Sequence, residues 1–210
     1  MELDDYISAH IDAEPPELAA LYRHTHLTRL YPRMCSDHAQ GRLLAMLTRM
    51  IAPKRIVELG TFTGYSTLSM AGAMPCGCHI DTIEVDGDYA DELSATLAAS
   101  PRGSDITLHI GDAEEVLPTL LSGGAPFDMA FIDANKRRYC RYYRLLVDAM
   151  PSGSYIIADN TLWSDKVLAD TAADAQTEGI RQFNDLVAAD TRVEKVIIPV
   201  RDGLTIIRKR

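Results

Sequence analysis

Beyond about the first 50 residues, the chain alternates short apolar runs with longer segments in which apolar residues recur at helical spacing. The apolar runs predict strands at 55–59, 79–85, 106–110, 127–133 and 155–159. Helical segments follow them at 66–74, 89–99, 113–121, 138–150 and 175–188. Strands that alternate with helices in this way indicate βαβ units and therefore a parallel sheet.

The end of the chain departs from this alternation. Residues 193–200 and 204–209 both have strand-like patterns, and Arg201-Asp202-Gly203 supplies a turn between them. An Asp-Gly pair between two strands is typical of a β-hairpin. We therefore predict that the last strand runs antiparallel to its neighbour in an otherwise parallel sheet.

The first 50 or so residues have a helical pattern instead. Pro15-Pro16 opens one predicted helix, and residues 38–51 form another. At 210 residues, the chain is long enough for one substantial core. We expect a single domain, residues 1–210, in which residues 1–52 form a helical cap over the sheet.

Acidic and amide side chains follow two of the predicted strands. Asp133 ends the fourth strand, and Asp159-Asn160 ends the fifth. The carboxyl ends of parallel strands meet at one edge of the sheet, so these side chains should share a crevice. Hard oxygen ligands of this kind suit Mg²⁺ or Ca²⁺. Lys136 lies one helical turn beyond Asp133, close enough to act on a substrate there. The pattern predicts a metal-assisted active site.

A second set of residues indicates a nucleoside cofactor. Gly60 and Gly64 lie in the turn after the first strand, where glycines let the backbone approach a ligand closely. A turn needed only for packing is the alternative explanation. Glu84 ends the second strand, where an acid can accept hydrogen bonds from ribose hydroxyls. Gly111-Asp112-Ala113 ends the third strand, beside the expected adenine. With Glu58 before the loop, S-adenosylmethionine fits better than NAD, whose usual glycine spacing is absent.

Charge restricts the partners. The formal net charge of −9 disfavours general nucleic-acid binding. The stretch 136–144 is an exception, with five cations and three tyrosines. It is either a solvated helix face whose tyrosines pack on the sheet, or a surface that attracts an anionic substrate.

The composition, 47% apolar and 24% charged, is that of an ordinary soluble globular protein. No apolar run approaches ~20 residues, so we predict no transmembrane helix. The acidic start of the chain differs from a signal peptide, and the four cysteines do not form a zinc pattern. We expect a cytoplasmic protein with reduced thiols.

Five motifs together resemble one enzyme family. They are Pro32-Arg33-Met34, Glu58-Leu59-Gly60-Thr61-Phe62-Thr63-Gly64-Tyr65-Ser66, Ile132-Asp133-Ala134-Asn135-Lys136, Ala158-Asp159-Asn160-Thr161-Leu162-Trp163 and Asp202-Gly203-Leu204-Thr205. Over nearly its whole length the chain is similar to the cation-dependent class I O-methyltransferases, which include catechol and caffeoyl-CoA O-methyltransferases. Asn135 stands where many relatives carry a second acid.

The resemblance implies a Rossmann-like three-layer α/β/α sandwich with a seven-stranded sheet whose last strand is antiparallel. It implies a metal, Mg²⁺ or another divalent cation such as Mn²⁺ or Ca²⁺, on Asp133, Asp159 and Asn160. It makes Lys136 the candidate general base, with Asp133 as the second catalytic residue. The implied contacts to S-adenosylmethionine come from Met34, Ser36, Glu58, Gly60, Ser66, Glu84, Asp112, Ala113 and Asp133. It also implies a homodimer.

The predicted reaction moves a methyl group from S-adenosylmethionine to a hydroxyl of a catechol-type small molecule. Residues 22–38 and 164–177 are expected to frame this phenolic acceptor. The main alternative is O-methylation of a hydroxylated uridine in tRNA, which the basic stretch favours and the net charge disfavours. A cofactor-binding protein without catalysis and a nicotinamide dehydrogenase are weaker alternatives. The intact Asp133, Asp159, Asn160 and Lys136 set disfavours the former.

Overall fold

The computed structural model describes residues 3–169 and 174–210. Its α-helices in these ranges are α1 Leu3–His10, α2 Pro16–Thr28, α3 His38–Ile51, α4 Tyr65–Ala71, α5 Ala90–Ala98, α6 Ala113–Ser122, α7 Tyr139–Ala149 and α8 Ala175–Ala189. Its strands are β1 Arg55–Leu59, β2 His79–Glu84, β3 Ile106–Ile110, β4 Met129–Ile132, β5 Tyr155–Asp159, β6 Val193–Ile198 and β7 Leu204–Lys209. None of the helices in the described ranges is long and apolar enough to cross a membrane.

The strands form one sheet in the order β3-β2-β1-β4-β5-β7-β6. β1 pairs in parallel with both β2 and β4. Strands β2 and β3 are therefore added on one side of β1, and β4 and the later strands on the other. β7 is antiparallel to β5 on one side and to β6 on the other. The predicted sheet and its reversed last strand are confirmed. A ligand crevice is expected beside β1 and β4, where the strand order reverses.

Helices cover both faces of the sheet and give it the predicted three layers. On one face, Leu44 of α3 and Met70 of α4 pack with Ile56, Phe131 and Ile157 of the sheet. On the other, α6, α7 and α8 bury a larger cluster that includes Leu117, Leu146 and Phe183. Burying a side chain of this kind contributes about 1.5–3 kcal/mol. This packing supports the strand ends that carry the candidate chemistry.

Several element boundaries match the patterns, and two of the elements that end early do so for identifiable reasons. Strands β1, β3, β5 and β7 and helix α3 have the predicted bounds. β6 ends at Ile198, two residues early, because Pro199 has no backbone N–H to continue the ladder. α4 ends at Ala71, where Gly72 takes the cap position before a turn.

Candidate active site

A cavity of about 1100 Å³ opens at the carboxyl edge of the sheet. The loops after β1, β2, β3, β4 and β5 all contribute to its lining, together with residues 29–36 of the N-terminal segment. Sites for single small ligands are usually ~300–1,000 Å³. This cavity therefore has room for a cofactor and an acceptor side by side.

The glycine loop after β1 lines this cavity. Gly60 donates its N–H to the carbonyl of Ile83 at 2.9 Å and has φ +95°. A Cβ at this position would lie 2.2 Å from the carbonyl oxygen of Asp133. The absence of a side chain thus lets β1 and the end of β4 approach each other closely. Gly64, at φ 92°, occupies the N-cap position of α4.

A substitution at Gly60 tests this close approach. We expect Gly60→Ala to lower the free energy of unfolding, measured in urea, by about 2 kcal/mol or more beyond the loss that Gly77→Ala causes. Both glycines have positive φ, which costs a non-glycine residue about 1–2 kcal/mol. Only Gly60 also faces backbone atoms, since a Cβ at Gly77 meets nothing within 4 Å. Equal losses in the two variants would contradict the steric argument.

Glu58 lies behind this loop and outside the cavity lining. Its side chain is fully buried and accepts hydrogen bonds from Ser66 at 2.5 Å, from Thr82 at 2.6 Å and from Thr67. Burial raises the pKa of Glu58 to about 7. Ser66 itself lines the cavity. The Glu58 carboxyl therefore orients a lining residue, and the contact with the cofactor that the resemblance implies for Glu58 stays a prediction.

Glu84 and Asp112 lie where the cofactor pattern placed them, at the ends of β2 and β3. Glu84 Oε2 accepts the N–H of Phe62 at 2.7 Å, which ties the glycine loop to the acid. Asp112 Oδ1 accepts the N–H of Glu114 at 2.8 Å and so caps α6. Both acids and Ala113 line the cavity. Carboxylate oxygens retain free lone pairs after one such bond and can still accept from a ligand.

Residues 29–36 of the N-terminal segment also line this cavity. Met34 is exposed and Ser36 is buried, and both line the cavity. Arg29 also lines it and stacks 3.8 Å from the ring of Tyr89 while pairing with Glu92 at 2.8 Å. This anchor between α2 and α5 has no signal in the sequence, because its partners are about 60 residues apart.

The predicted metal ligands come from adjacent strand ends. Ile132 pairs with Ala158 in the β4–β5 ladder, so Asp133 and Asp159 follow neighbouring positions. The hydroxyl of Tyr139 donates to the carbonyls of Ile132 at 3.2 Å and Asp159 at 3.1 Å. Burial raises the pKa of Tyr139 well above its usual value, so this donor stays protonated. Tyr139 thus connects the ends of β4 and β5 by hydrogen bonds.

The three predicted ligands differ in their surroundings. Asp133 and Asn160 line the cavity. Asp159 is only 4% exposed, and its Oδ2 accepts a hydrogen bond from Gln40 at 2.5 Å. Burial and the nearby Asp133 carboxyl raise the pKa of Asp159. Asn160 has φ 57°, a left-handed conformation that asparagine tolerates well.

Lys136, the candidate general base, lies in the 3₁₀ turn that follows β4. It is 8% exposed, lines the cavity, and pairs with Asp133 Oδ1 at 2.5 Å. Asn135 caps the 3₁₀ turn that carries it, accepting the N–H of Arg137 at 3.2 Å. Gly179 of α8 lies against this turn, where a Cβ would come within 2.6 Å of the Lys136 carbonyl oxygen. The backbone of Lys136 is therefore tightly held.

The basic stretch 136–144 resolves into two parts. Tyr139, Tyr142 and Tyr143 are buried against the sheet, as the first of the two interpretations expected. Arg138 and Arg141 both pair with Glu114, at 3.0 and 3.1 Å. Arg137 faces the cavity with Lys136. Most of the stretch is therefore packed or neutralised, which weakens its support for RNA binding.

The donor set at the strand ends consists of two carboxylates and one amide. In the described ranges, no group of three His, Cys, Asp or Glu side chains is arranged to hold a metal ion. Asp133, Asp159 and Asn160 nevertheless supply hard oxygen donors from adjoining positions, with Asp133 and Asn160 open to the cavity. Such a set fits Mg²⁺ or Mn²⁺ when water and substrate complete the coordination.

Comparison with known proteins identifies the family. A family model described as O-methyltransferase matches residues 6–210. The chain belongs to the O-methyltransferase family. The predicted family and enzyme class are thereby confirmed.

Individual relatives agree with this assignment. A catechol O-methyltransferase of Niastella koreensis is 34% identical over 168 residues, covering 80% of this chain and 76% of the relative. Caffeoyl-CoA O-methyltransferase 1 of Eucalyptus globulus is 30% identical, covering 90% and 88%. Among solved structures, the O-methyltransferase TomG from Streptomyces achromogenes, in complex with SAM, superposes with a TM-score of 0.90. It is 30% identical, and the match covers 99% of this chain and 95% of TomG.

The closing motif of this O-methyltransferase supports the loop after β5. The carbonyl of Asp202 accepts the N–H of Leu162 at 2.7 Å, and the carbonyl of Gly203 accepts that of Thr161 at 3.0 Å. A Cβ on Gly203 would lie 2.5 Å from Leu162 Cγ. The hairpin tip therefore does more than reverse the chain, since it fixes the segment that follows Asp159 and Asn160.

Proposed function

We propose that this O-methyltransferase moves a methyl group from S-adenosylmethionine to one hydroxyl of a catechol-type small molecule, with the help of a divalent cation. The observation that carries the proposal is the meeting of two residue sets in one cavity. Asp133, Asn160 and Lys136 line it on one side, and the glycine loop with Glu84 lines it on the other.

The cofactor half of the proposal rests on three neighbouring loops. Gly60, Glu84 and Asp112 come from the ends of β1, β2 and β3 and line a continuous part of the cavity. An acid at the second strand suits ribose hydroxyls, as in nucleoside sites of α/β proteins. TomG, which shares the fold at 30% identity, was solved with SAM bound. These observations favour S-adenosylmethionine as the methyl donor.

Asp133, Asp159 and Asn160 would hold the cation. A divalent cation bound there would lower the pKa of an acceptor hydroxyl and fix the orientation of the ring. Tyr139 holds the two strand ends together, and Gln40 fixes the carboxylate of Asp159. The chain thus presents its oxygen donors in a fixed arrangement.

Lys136 is placed to handle the proton. During transfer, the bond between the methyl carbon and the donor sulfur breaks while a bond to the acceptor oxygen forms. As a neutral amine, Lys136 would accept the hydroxyl proton and become an ammonium. As the ammonium that pairs with Asp133, it would instead stabilise the oxygen anion after the hydroxyl proton is lost to water. The products are S-adenosylhomocysteine and a methyl ether. Holding donor and acceptor in line can supply ~7–11 kcal/mol of the barrier, so positioning is the larger contribution.

The acceptor is proposed to be a small phenol. Arg33 and Arg137 are the lining cations that pair with no acid in the described part of the chain, too few for a polyphosphate such as coenzyme A. The first expected frame, residues 22–38, contributes 29–36 to the lining. From the second, Gln176 lines the cavity, while residues 170–173 lie outside the described ranges. The catechol O-methyltransferase of N. koreensis is consistent with this acceptor class.

A direct assay tests the proposal. Labelled S-adenosylmethionine is incubated with 3,4-dihydroxybenzoate or caffeate, with Mg²⁺ and again with excess EDTA. We expect turnover that EDTA abolishes and that added Mg²⁺ restores. Turnover that persists in EDTA would contradict the role of the cation. If the protein binds the cofactor but neither phenol is methylated, the acceptor class is wrong, and transcribed tRNA carrying hydroxylated uridine becomes the next substrate to assay.

A further inference from the structure

A buried glutamine connects the predicted metal ligand Asp159 to Arg201, in the turn between β6 and β7. Gln40 is 1% exposed, and its Nε2 donates to Asp159 Oδ2 at 2.5 Å. Its Oε1 accepts from Arg201 Nη1 at 2.5 Å. The three side chains come from α3, the end of β5 and the turn before β7. The contact with Asp159 belongs to the cation site described above, whereas the contact with Arg201 lies outside it.

The two partners leave Gln40 only one orientation. The guanidinium of Arg201 can only donate, and an ionised carboxylate can only accept. The amide oxygen must therefore face Arg201, and the amide nitrogen must face Asp159. A flipped amide would place donor against donor and acceptor against acceptor. The two hydrogen bonds thus fix the orientation of the Gln40 amide between Arg201 and Asp159.

Arg201 is itself anchored at several points. Its Nη2 donates to the carbonyl of Cys35 at 3.3 Å, and its Nε pairs with Asp37 Oδ2 at 3.4 Å. It has φ 49°, a left-handed backbone conformation that a non-glycine residue keeps only with support from its surroundings. The next two residues hold the loop that follows Asp159 and Asn160. Arg201 is therefore connected to the metal ligands in two ways, through Gln40 and through the hairpin tip that holds the loop after β5.

We propose that Gln40, anchored by Arg201, is a positioning residue that aims the carboxylate of Asp159 at the bound cation and so sets the affinity for the metal. The proposal rests on the cation site of the proposed function. Partners that orient a metal ligand typically change metal affinity by 10–100-fold when they are removed. A leucine at position 40 keeps the bulk of the side chain but can neither donate to Asp159 nor accept from Arg201.

The experiment measures binding of Mn²⁺ to the full-length protein, by the electron paramagnetic resonance signal of free Mn²⁺, with S-adenosylhomocysteine affinity measured alongside by calorimetry. We expect Gln40→Leu to weaken Mn²⁺ binding at least about tenfold while the S-adenosylhomocysteine affinity stays within about twofold. Arg201→Met is expected to weaken Mn²⁺ binding less, because the amide still reaches Asp159. The double variant should bind about as weakly as Gln40→Leu, since both changes act through one amide.

Thr48→Val is the matched control. Thr48 is a fully buried polar residue of the same helix, and its hydroxyl donates to the carbonyl of Leu44 at 2.8 Å. The change should lower stability and leave Mn²⁺ affinity unchanged. Equal loss of Mn²⁺ binding in Thr48→Val and Gln40→Leu would overturn the proposal, as would strictly additive losses in the double variant.

The outcomes also separate this proposal from the one on which it rests. Wild-type protein that binds S-adenosylhomocysteine but not Mn²⁺ refutes the cation site, and the role of Gln40 falls with it. Wild-type protein that binds Mn²⁺, beside a folded Gln40→Leu variant that binds it equally well, refutes only the role of Gln40. If Gln40→Leu does not fold, Mn²⁺ binding by Arg201→Met decides the question. Weaker binding than in the wild type supports the role of Gln40, and unchanged binding refutes it.

Discussion

Replacing Lys136 with alanine is expected to lower kcat by about 10²–10⁴-fold, the usual contribution of a positioned acid or base. The side chain is 8% exposed, lines the cavity and lies 2.5 Å from Asp133 Oδ1. Its loss removes the group that we propose takes the acceptor proton or stabilises the oxygen anion. Cofactor affinity should change little, because the glycine loop, Glu84 and Asp112 are untouched. Single-turnover kinetics with saturating substrate and Mg²⁺ measure the effect on the chemical step.

Lys166→Ala is the matched control for this variant. Lys166 Nζ and Lys136 Nζ both lie 5.8 Å from the ring of Trp163. Lys166, although it belongs to the segment expected to frame the acceptor, is exposed, is absent from the cavity lining and pairs with no acid in the described ranges. We expect its removal to leave kcat within about twofold. Lys136→Arg distinguishes the two possible roles, since arginine keeps the positive charge but does not give up its proton. Near-normal activity of Lys136→Arg would exclude Lys136 as a general base, and near-normal activity of Lys136→Ala would exclude both roles.

The parts of this site that could be predicted are those set by local sequence. Asp133 and Asp159 each end an apolar strand, and in a parallel sheet strand ends converge regardless of the details of packing. The positions of Gly60 and Glu84 follow from the same rule. The reversed strand β7 could be predicted from the Asp-Gly turn that precedes it. In each case a short pattern and a general rule of sheet geometry were sufficient.

The parts that could not be predicted depend on contacts between distant segments. Gln40 meets Asp159 across 119 residues and Arg201 across 161. Nothing in the amphipathic pattern of α3 distinguishes Gln40 from a solvent-facing residue. For Glu58, the local sequence suggests more than the structure shows. Its position before the glycine loop suggests a ligand contact, but three hydroxyl groups enclose its carboxyl behind the loop. Which side of a loop a buried acid faces is decided by tertiary packing.

Replacing Asp159 with alanine is expected to abolish the metal-dependent part of turnover, leaving only the activity measured in excess EDTA. The change removes one of the two carboxylates in the predicted donor set, and Mn²⁺ affinity should fall by more than the 10–100-fold typical of losing a supporting residue. It also leaves the amide N–H of Gln40 without its acceptor, which costs about 1–3 kcal/mol of stability. S-adenosylhomocysteine should still bind, because Asp159 is absent from the cavity lining.

Asp128→Ala controls for the loss of a structural carboxylate. Asp128 precedes β4 at the opposite edge of the sheet, and its Oδ2 accepts the N–H groups of Lys54 at 2.7 Å and Arg55 at 3.2 Å. Its removal should lower stability to a similar extent without affecting Mn²⁺ binding or the response to EDTA. The comparison therefore separates metal chemistry from general destabilisation. Full turnover of Asp159→Ala at low micromolar Mg²⁺ would rule out Asp159 as a metal ligand, and with it the cation site at the ends of β4 and β5.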